Sequence, residues 1–186
     1  KDKPLKITFR SWELYRYPEL PSSSKQSWSI KTSSQIEKPR FIILFFQTDR
    51  SGKSKKSSSE FDHCNLRNVK LKLNNESFPY DDLDQDFKTK NFAIFYNMYC
   101  NFSASFNGQP EATPLLDYET YKTKAPLFII DCSRQRETLK YGPIDVRLDF
   151  ESSDSFPHNT TANCILVHEL VYEYQPLTNI IRKHEG

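Results

Sequence analysis

Ile144-Asp145-Val146-Arg147-Leu148-Asp149-Phe150-Glu151 alternates strictly, with every apolar side chain at one parity and every charge at the other. Successive side chains of a strand point to opposite faces, so this is a strand with one packed and one wet face. Asn68-Val69-Lys70-Leu71-Lys72-Leu73 repeats the pattern, and shorter versions run from Lys6 to Arg10 and from Ser27 to Lys31. Half-wet strands belong to antiparallel sheets, and several of them at short spacing predict an all-β sandwich or barrel. The run Phe41-Ile42-Ile43-Leu44-Phe45-Phe46 is apolar at both parities but far too short to span a bilayer. It reads as a central strand buried on both faces.

Working outward, strands are expected at about 5–10, 25–32, 40–48, 65–73, 127–131, 143–151, 163–174 and 177–182, the eight of a jelly roll. The 186 residues suffice for a single domain, 1–186, with a core of its own. With 4 glycines against 11 prolines, the turns must rely on Pro, Asn, Asp and Ser. One helix interrupts the strands. Phe92, Phe95, Tyr96, Tyr99, Phe102 and Phe106 fall at helical spacing, which predicts an amphipathic helix over about 89–106, capped by Thr89 and covering an open side of the sandwich. Tyr118 to Thr123, between Pro114 and Pro126, is expected to form a further helical turn. Asp49 to Ser59 is a long polar connection.

The chemistry-bearing residues form no reactive motif. A net charge of +2 gives no whole-molecule field toward nucleic acid. Arg50, Lys53, Lys55 and Lys56 make one compact basic cluster, set among serines with no aromatic to stack a base, so nucleic acid is a weak partner expectation. Asp82, Asp84 and Asp86 start like a calcium loop, but Phe87 stands where such a loop needs glycine and Ala93 where it needs glutamate. An EF-hand is thereby excluded; the expected reading is an acidic turn leading to a helix N-terminus, with a looser metal site as the alternative, and no metal or cofactor is assigned. Cys64, Cys100, Cys132 and Cys164 are far apart with no Cys-x-x-Cys pair, so buried free thiols are expected, with two disulfides as the alternative. His63 beside Cys64 and His168 beside Glu169 are neighbours that a strand sends to opposite faces, hence not dyads, and no catalytic residue is assigned. The sequons at Asn75, Asn101 and Asn159 do not establish secretion in a chain this rich in Ser and Thr, and no opening signal peptide is read.

Several stretches without generic chemical meaning occur together: Phe9-Arg10-Ser11-Trp12-Glu13-Leu14, Thr32 to Arg40 (TSSQIEKPR), Phe61-Asp62-His63-Cys64-Asn65-Leu66, Tyr80-Asp81-Asp82-Leu83, Ile130-Asp131-Cys132-Ser133-Arg134-Gln135, and Tyr174-Gln175-Pro176-Leu177-Thr178. Jointly they resemble the double jelly-roll-like domain proteins of insect and hydra genomes, related to major capsid proteins of Maverick (Polinton) elements and adintovirus-like DNA viruses. The resemblance implies a structural, non-enzymatic role by self-association into trimeric capsomers or shells, viral or domesticated from a mobile element. It also implies that this chain corresponds to the C-terminal roll, with an upstream roll as a possible partner, in a virion-like particle or inside the cell, with no membrane partner. Interaction surfaces are then expected in the 49–60 loop, the 76–86 turn with the 87–106 helix, and the 108–126 insertion, with Trp12, Tyr15 and Tyr17 as aromatic anchors. The alternative is a host binding module on the same fold, recognising a protein, a glycan or nucleic acid. A metal-dependent enzyme on a jelly roll would need clustered histidines, and the chain has four, at His63, His158, His168 and His184.

Overall fold

Alternation of β-branched and aromatic residues with charged ones is resolved, in a computed structural model of the chain, into two antiparallel sheets packed face to face. The structure describes residues 3–30, 39–50, 56–74, 76–108, 113–133 and 144–183. The strands are β1 (Leu5–Tyr17), β2 (Lys25–Ile30), β3 (Pro39–Thr48), β4 (Leu66–Leu73), β5 (Glu76–Phe78), β6 (Phe128–Asp131), β7 (Val146–Ser152), β8 (Thr160–Gln175) and β9 (Ile180–Lys183); the helices are α1 (Ala93–Asn107) and α2 (Tyr118–Lys124).

One sheet runs β1-β8-β3-β6, with β9 added to β8, and the other runs β2-β7-β4-β5. Consecutive strands thus take the same rank in opposite sheets (β1 and β2, β7 and β8, β3 and β4, β5 and β6), which is jelly-roll wrapping. All eight expected strands are present among the described residues, although the ends expected at 31–32 and 143 lie outside them. The set of eight that makes the two rows differs from the one expected. The short β5, which pairs with β4, belongs to it, whereas the last expected strand, found at 180–183 rather than 177–182, is a hairpin addition on β8.

The core follows parity. Val146, Leu148 and Phe150 of β7 and Val69, Leu71 and Leu73 of β4 are buried, while Arg147, Asp149, Lys70 and Lys72 form the wet outer face. There Lys72 bridges to Asp149 at 2.6 Å and Lys25 to Glu151 at 3.3 Å. In β3 both parities are buried. Ile42, Leu44 and Phe46 face the sandwich, where Phe46 meets Phe128, Phe150 and Phe156, and Phe41 takes the ring of Phe102 from α1 edge-on at 5.0 Å. The aromatic stripe of α1 therefore covers the sheet as its spacing predicts.

Two boundaries differ most from expectation. Helix α1 begins at Ala93 and not near 89, and Thr89 does not cap it. Asp86 accepts the Lys88 amide at 2.8 Å and exchanges backbone bonds with Asn91, so residues 86–91 close as a tight loop, with Lys90 at φ 62°, and helical dihedrals start only beyond Phe92. Strand β1 runs on to Tyr17 instead of stopping near Arg10. Its inward positions Ser11 and Glu13 are polar because they sit at the rim beside His168, with Glu13 4.0 Å from that imidazole, so the apolar alternation is lost where the strand continues.

Candidate interaction surfaces

The aromatic anchors of β1 are divided by strand parity. Trp12 lies on the outer face, about half exposed, with its ring edge-on to Phe106 of α1 at 5.5 Å. Arg10, two residues away on the same face, places its guanidinium 4.1 Å from the centroid of that Phe106 ring and donates to the Phe106 carbonyl, fixing the end of α1 on β1. Tyr15 and Tyr17 point inward. Tyr15 packs at the core margin and donates to Glu13 at 2.6 Å; burial, then this bonded carboxylate, raise its pKa well above 10. Tyr17 stands edge-on to Trp28 of β2 at 5.8 Å. The three do not form one patch.

The described cations of the basic loop are turned back onto the chain. Arg50 donates to Asp62 at 2.8 Å and to the Ser57 carbonyl at 2.9 Å, and Lys56 donates to the Thr48 carbonyl at 3.2 Å. Lys53 and Lys55 lie outside the described residues. A phosphate-binding tip built on Arg50 would have to break its pairing with Asp62.

The acidic turn is taken apart by β4. Asp82 accepts from Lys70 at 2.6 Å and Asn68 at 2.9 Å, which hold its carboxyl below the usual carboxylate range, and Asp84 accepts from Arg67 at 2.5 Å. The Lys88 amide does the same for Asp86. The three carboxylates thus serve separate donors instead of converging, and among the described residues no group of His, Cys, Asp and Glu is placed to hold a metal ion.

Sequence reasoning missed Gln85, which lies between these aspartates. It is buried, donates to the Leu83 carbonyl at 2.8 Å and accepts the Ile94 amide at 3.0 Å, satisfying a helix N-terminus from eight residues upstream of α1. No local signal marks it, because a capping side chain is sought next to its helix. Helix α2 is capped locally, by Asp117 accepting the Thr120 amide at 2.8 Å. Its buried Tyr121 reaches the Leu127 carbonyl at 2.9 Å.

The four cysteines, His63 and His168 serve packing. All four thiols are free, and burial pushes Cys64 up to about 12 and Cys164 higher still. Cys132 donates to the Pro39 carbonyl at 3.0 Å. His63 stacks on Phe87 at 4.5 Å and accepts the Asn65 amide through Nδ1; burial, then Lys122, lower its pKa. His168 is buried and directed toward Glu13, while its neighbour Glu169 takes Arg40 at 2.7 Å on the other face.

With packing and not reactive groups accounting for these residues, similarity to known proteins becomes the deciding observation. The family model of the double jelly roll-like domain matches residues 1–172. The chain belongs to that family. Among solved structures, a chain of the Sputnik virophage, from its cryo-EM structure, superposes with a TM-score of 0.56 at 7% identity over 97% of this chain and 39% of that one. The mavirus major capsid protein gives a TM-score of 0.44 at 10% identity, over 98% and 42%. No curated protein matches. The chain therefore spans about two fifths of the solved chains it resembles. Among the described residues, no helix is long and apolar enough to cross a membrane.

Proposed function

We propose that the chain is a capsid-type structural jelly roll that acts by self-association, as one roll, the C-terminal one, of a double jelly roll whose assembled form is a trimeric capsomer or shell. The observation that carries this reading is the two-sheet fold, β1-β8-β3-β6 against β2-β7-β4-β5, which superposes at a TM-score of 0.56 on a chain of the Sputnik virophage structure. The turned-back polar side chains support it as well: Arg50, Lys56 and the three aspartates are engaged within the chain, so its function rests on surfaces and not on a reactive centre. On this reading the protein is not an enzyme and works within a virion-like particle or in the cell interior. Its ancestry lies with capsid proteins of Maverick-type elements, and the gene is viral or a domesticated descendant. Closed symmetry is the default for such assemblies.

Light scattering and negative-stain microscopy of the chain, alone and extended by a companion roll, test the proposal. Trimers or closed particles are the expected result. A strictly monomeric extended form at high concentration would overturn it and leave a binding module on the same fold.

A further inference from the structure

Strands β1 and β8 outrun the sandwich. β8 pairs with β3 only from Thr160 to His168, and beyond that point Glu169 to Gln175 continue between β1, from Leu5 to Arg10, and β9. Among the described residues the facing sheet has no strand opposite this stretch, β2 being described as far as Ile30 and β7 from Val146. A three-stranded ribbon results, and its register sorts its side chains. Leu5 lies opposite Tyr174, Ile7 opposite Tyr172 and Phe9 opposite Leu170, with Ile181 beside Tyr174, all on the parity that forms the buried core in the rest of the sheet. The other parity carries Lys6, Thr8, Arg10, Glu169, Glu173 and Arg182.

The apolar face is open. Leu5 is 56% exposed, Ile7 54%, Phe9 46% and Ile181 66%, although Phe9 stacks flat on Tyr172 at 5.4 Å. Those four exposures amount to on the order of 450 Å², the size of patch that marks an interaction site. Its one charged side chain is Lys183, and it has no carboxylate, so neither an acidic nor a basic partner finds matched charges on it. It is a sheet face and not a groove, and a sheet face is covered best by another sheet face of the same twist.

Resting on the self-association reading above, we infer that this ribbon face is the contact between copies of this chain, packed face to face with the same ribbon of a second copy. Two such patches bury roughly 900 Å² before the tyrosines are counted, close to the lower bound of about 1,000 Å² for a specific interface. The contact is therefore reversible and dependent on concentration, and since each copy contributes the same residues it is two-fold, joining capsomers and not building the trimer itself.

Sedimentation velocity over a dilution series tests this on the chain itself, with Ile7→Lys and Ile181→Lys against Leu115→Lys, a substitution of the most exposed leucine, distant in sequence from the ribbon. Hydroxyl-radical footprinting of Phe9 and Tyr172 in the unsubstituted chain gives a readout that does not depend on a variant folding. The expected result is concentration-dependent association, weakened about tenfold or more by either ribbon lysine and unchanged by Leu115→Lys, with Phe9 and Tyr172 protected as concentration rises. Association that ignores both ribbon lysines, with footprints that do not change on dilution, would overturn the ribbon contact and leave the self-association reading standing. Protection at every concentration would mean that the chain covers its own ribbon, and also overturns the contact. A chain that stays monomeric throughout with Phe9 fully reactive would likewise overturn the ribbon contact, and the self-association reading would then rest on the form extended by a companion roll.

Discussion

Strands β1 and β8 pass through two regions of opposite character. Inside the sandwich, Leu166 and Cys164 of β8 are completely buried; a few residues on, Leu170, Tyr172 and Tyr174 of the same strand, on the same parity, form half of an open ribbon. The local pattern does not change at the boundary. Alternation tells which face of a strand is meant to be covered, but not whether the cover comes from the same chain. The sandwich is covered by β2, β7 and β4, whereas among the described residues no strand of that sheet buries the ribbon's side chains.

The strongest test of that contrast makes one substitution in both regions. Phe46, in contact with Phe128, Phe150 and Phe156, is fully buried, and Phe46→Ala is expected to cost about 3–5 kcal/mol, because the three rings cannot collapse into the space. Phe9→Ala, measured at concentrations where the chain is monomeric, is expected to cost about 1 kcal/mol, the loss of a half-exposed ring on Tyr172. Urea unfolding of both variants decides it. Equal losses would mean that the ribbon is as fully packed as the sandwich.

A second test uses the residue that sequence reasoning missed. Gln85→Met leaves the Ile94 amide and the Leu83 carbonyl without their side-chain partner in a buried position, with an expected loss of about 1–3 kcal/mol, while Thr89→Ala stays within about 0.5 kcal/mol because Thr89 does not cap the helix. The reverse order of effects, read from thermal melts, would restore Thr89 as the helix signal.

These residues also mark where the sequence was legible. The strands of the sandwich, the buried run 41–46 and the aromatic stripe of α1 all followed from periodicity, since burial on one face is a local property of the pattern. β1 was truncated in that reading because Ser11 and Glu13 point toward a polar rim around His168, which only the register with β8 makes visible. The fate of Asp82 and Asp84 was illegible for the same reason: their partners Lys70, Asn68 and Arg67 are exposed or half-buried residues of β4, brought there by a turn through Asp84 at φ 45°. The division of Trp12 from Tyr15 and Tyr17 follows from parity once the strand is known to reach Tyr17.

Titration adds a smaller effect confined to the sandwich side. His63 is stacked under Phe87, and burial keeps its folded pKa below the ordinary 6.5, so between those two values the unfolded chain binds more protons than the folded one. Stability must then fall as pH is lowered through about 6.5 and level off below the folded pKa. The depressed carboxylates Asp82 and Asp149 act separately, their contribution being lost only as pH falls below about 3.8 toward their folded pKa values; at Asp149 the bonds from Lys72 and Ser27 outweigh a burial that works against them. His63→Gln is expected to flatten the urea midpoint between about pH 7 and pH 5, and an unchanged slope would assign it to another group.

The smallest expected effect discriminates most finely. Ile7 and Ile42 are both strand isoleucines on the inward parity of one sheet, but Ile42 is fully buried and Ile7 is 54% exposed. Ile→Thr keeps the β-branch and the strand propensity, replacing an ethyl group with a hydroxyl. At Ile42 that hydroxyl enters a dry core, with a cost of roughly 2–3 kcal/mol. At Ile7 the same change is expected to shift the unfolding free energy of the monomer by less than about 0.5 kcal/mol, because water already reaches the side chain in both variants. A loss at Ile7 that appears only as protein concentration rises would place its cover on a second copy, since stabilisation by a partner follows mass action. A loss of similar size at every dilution would place it within the chain.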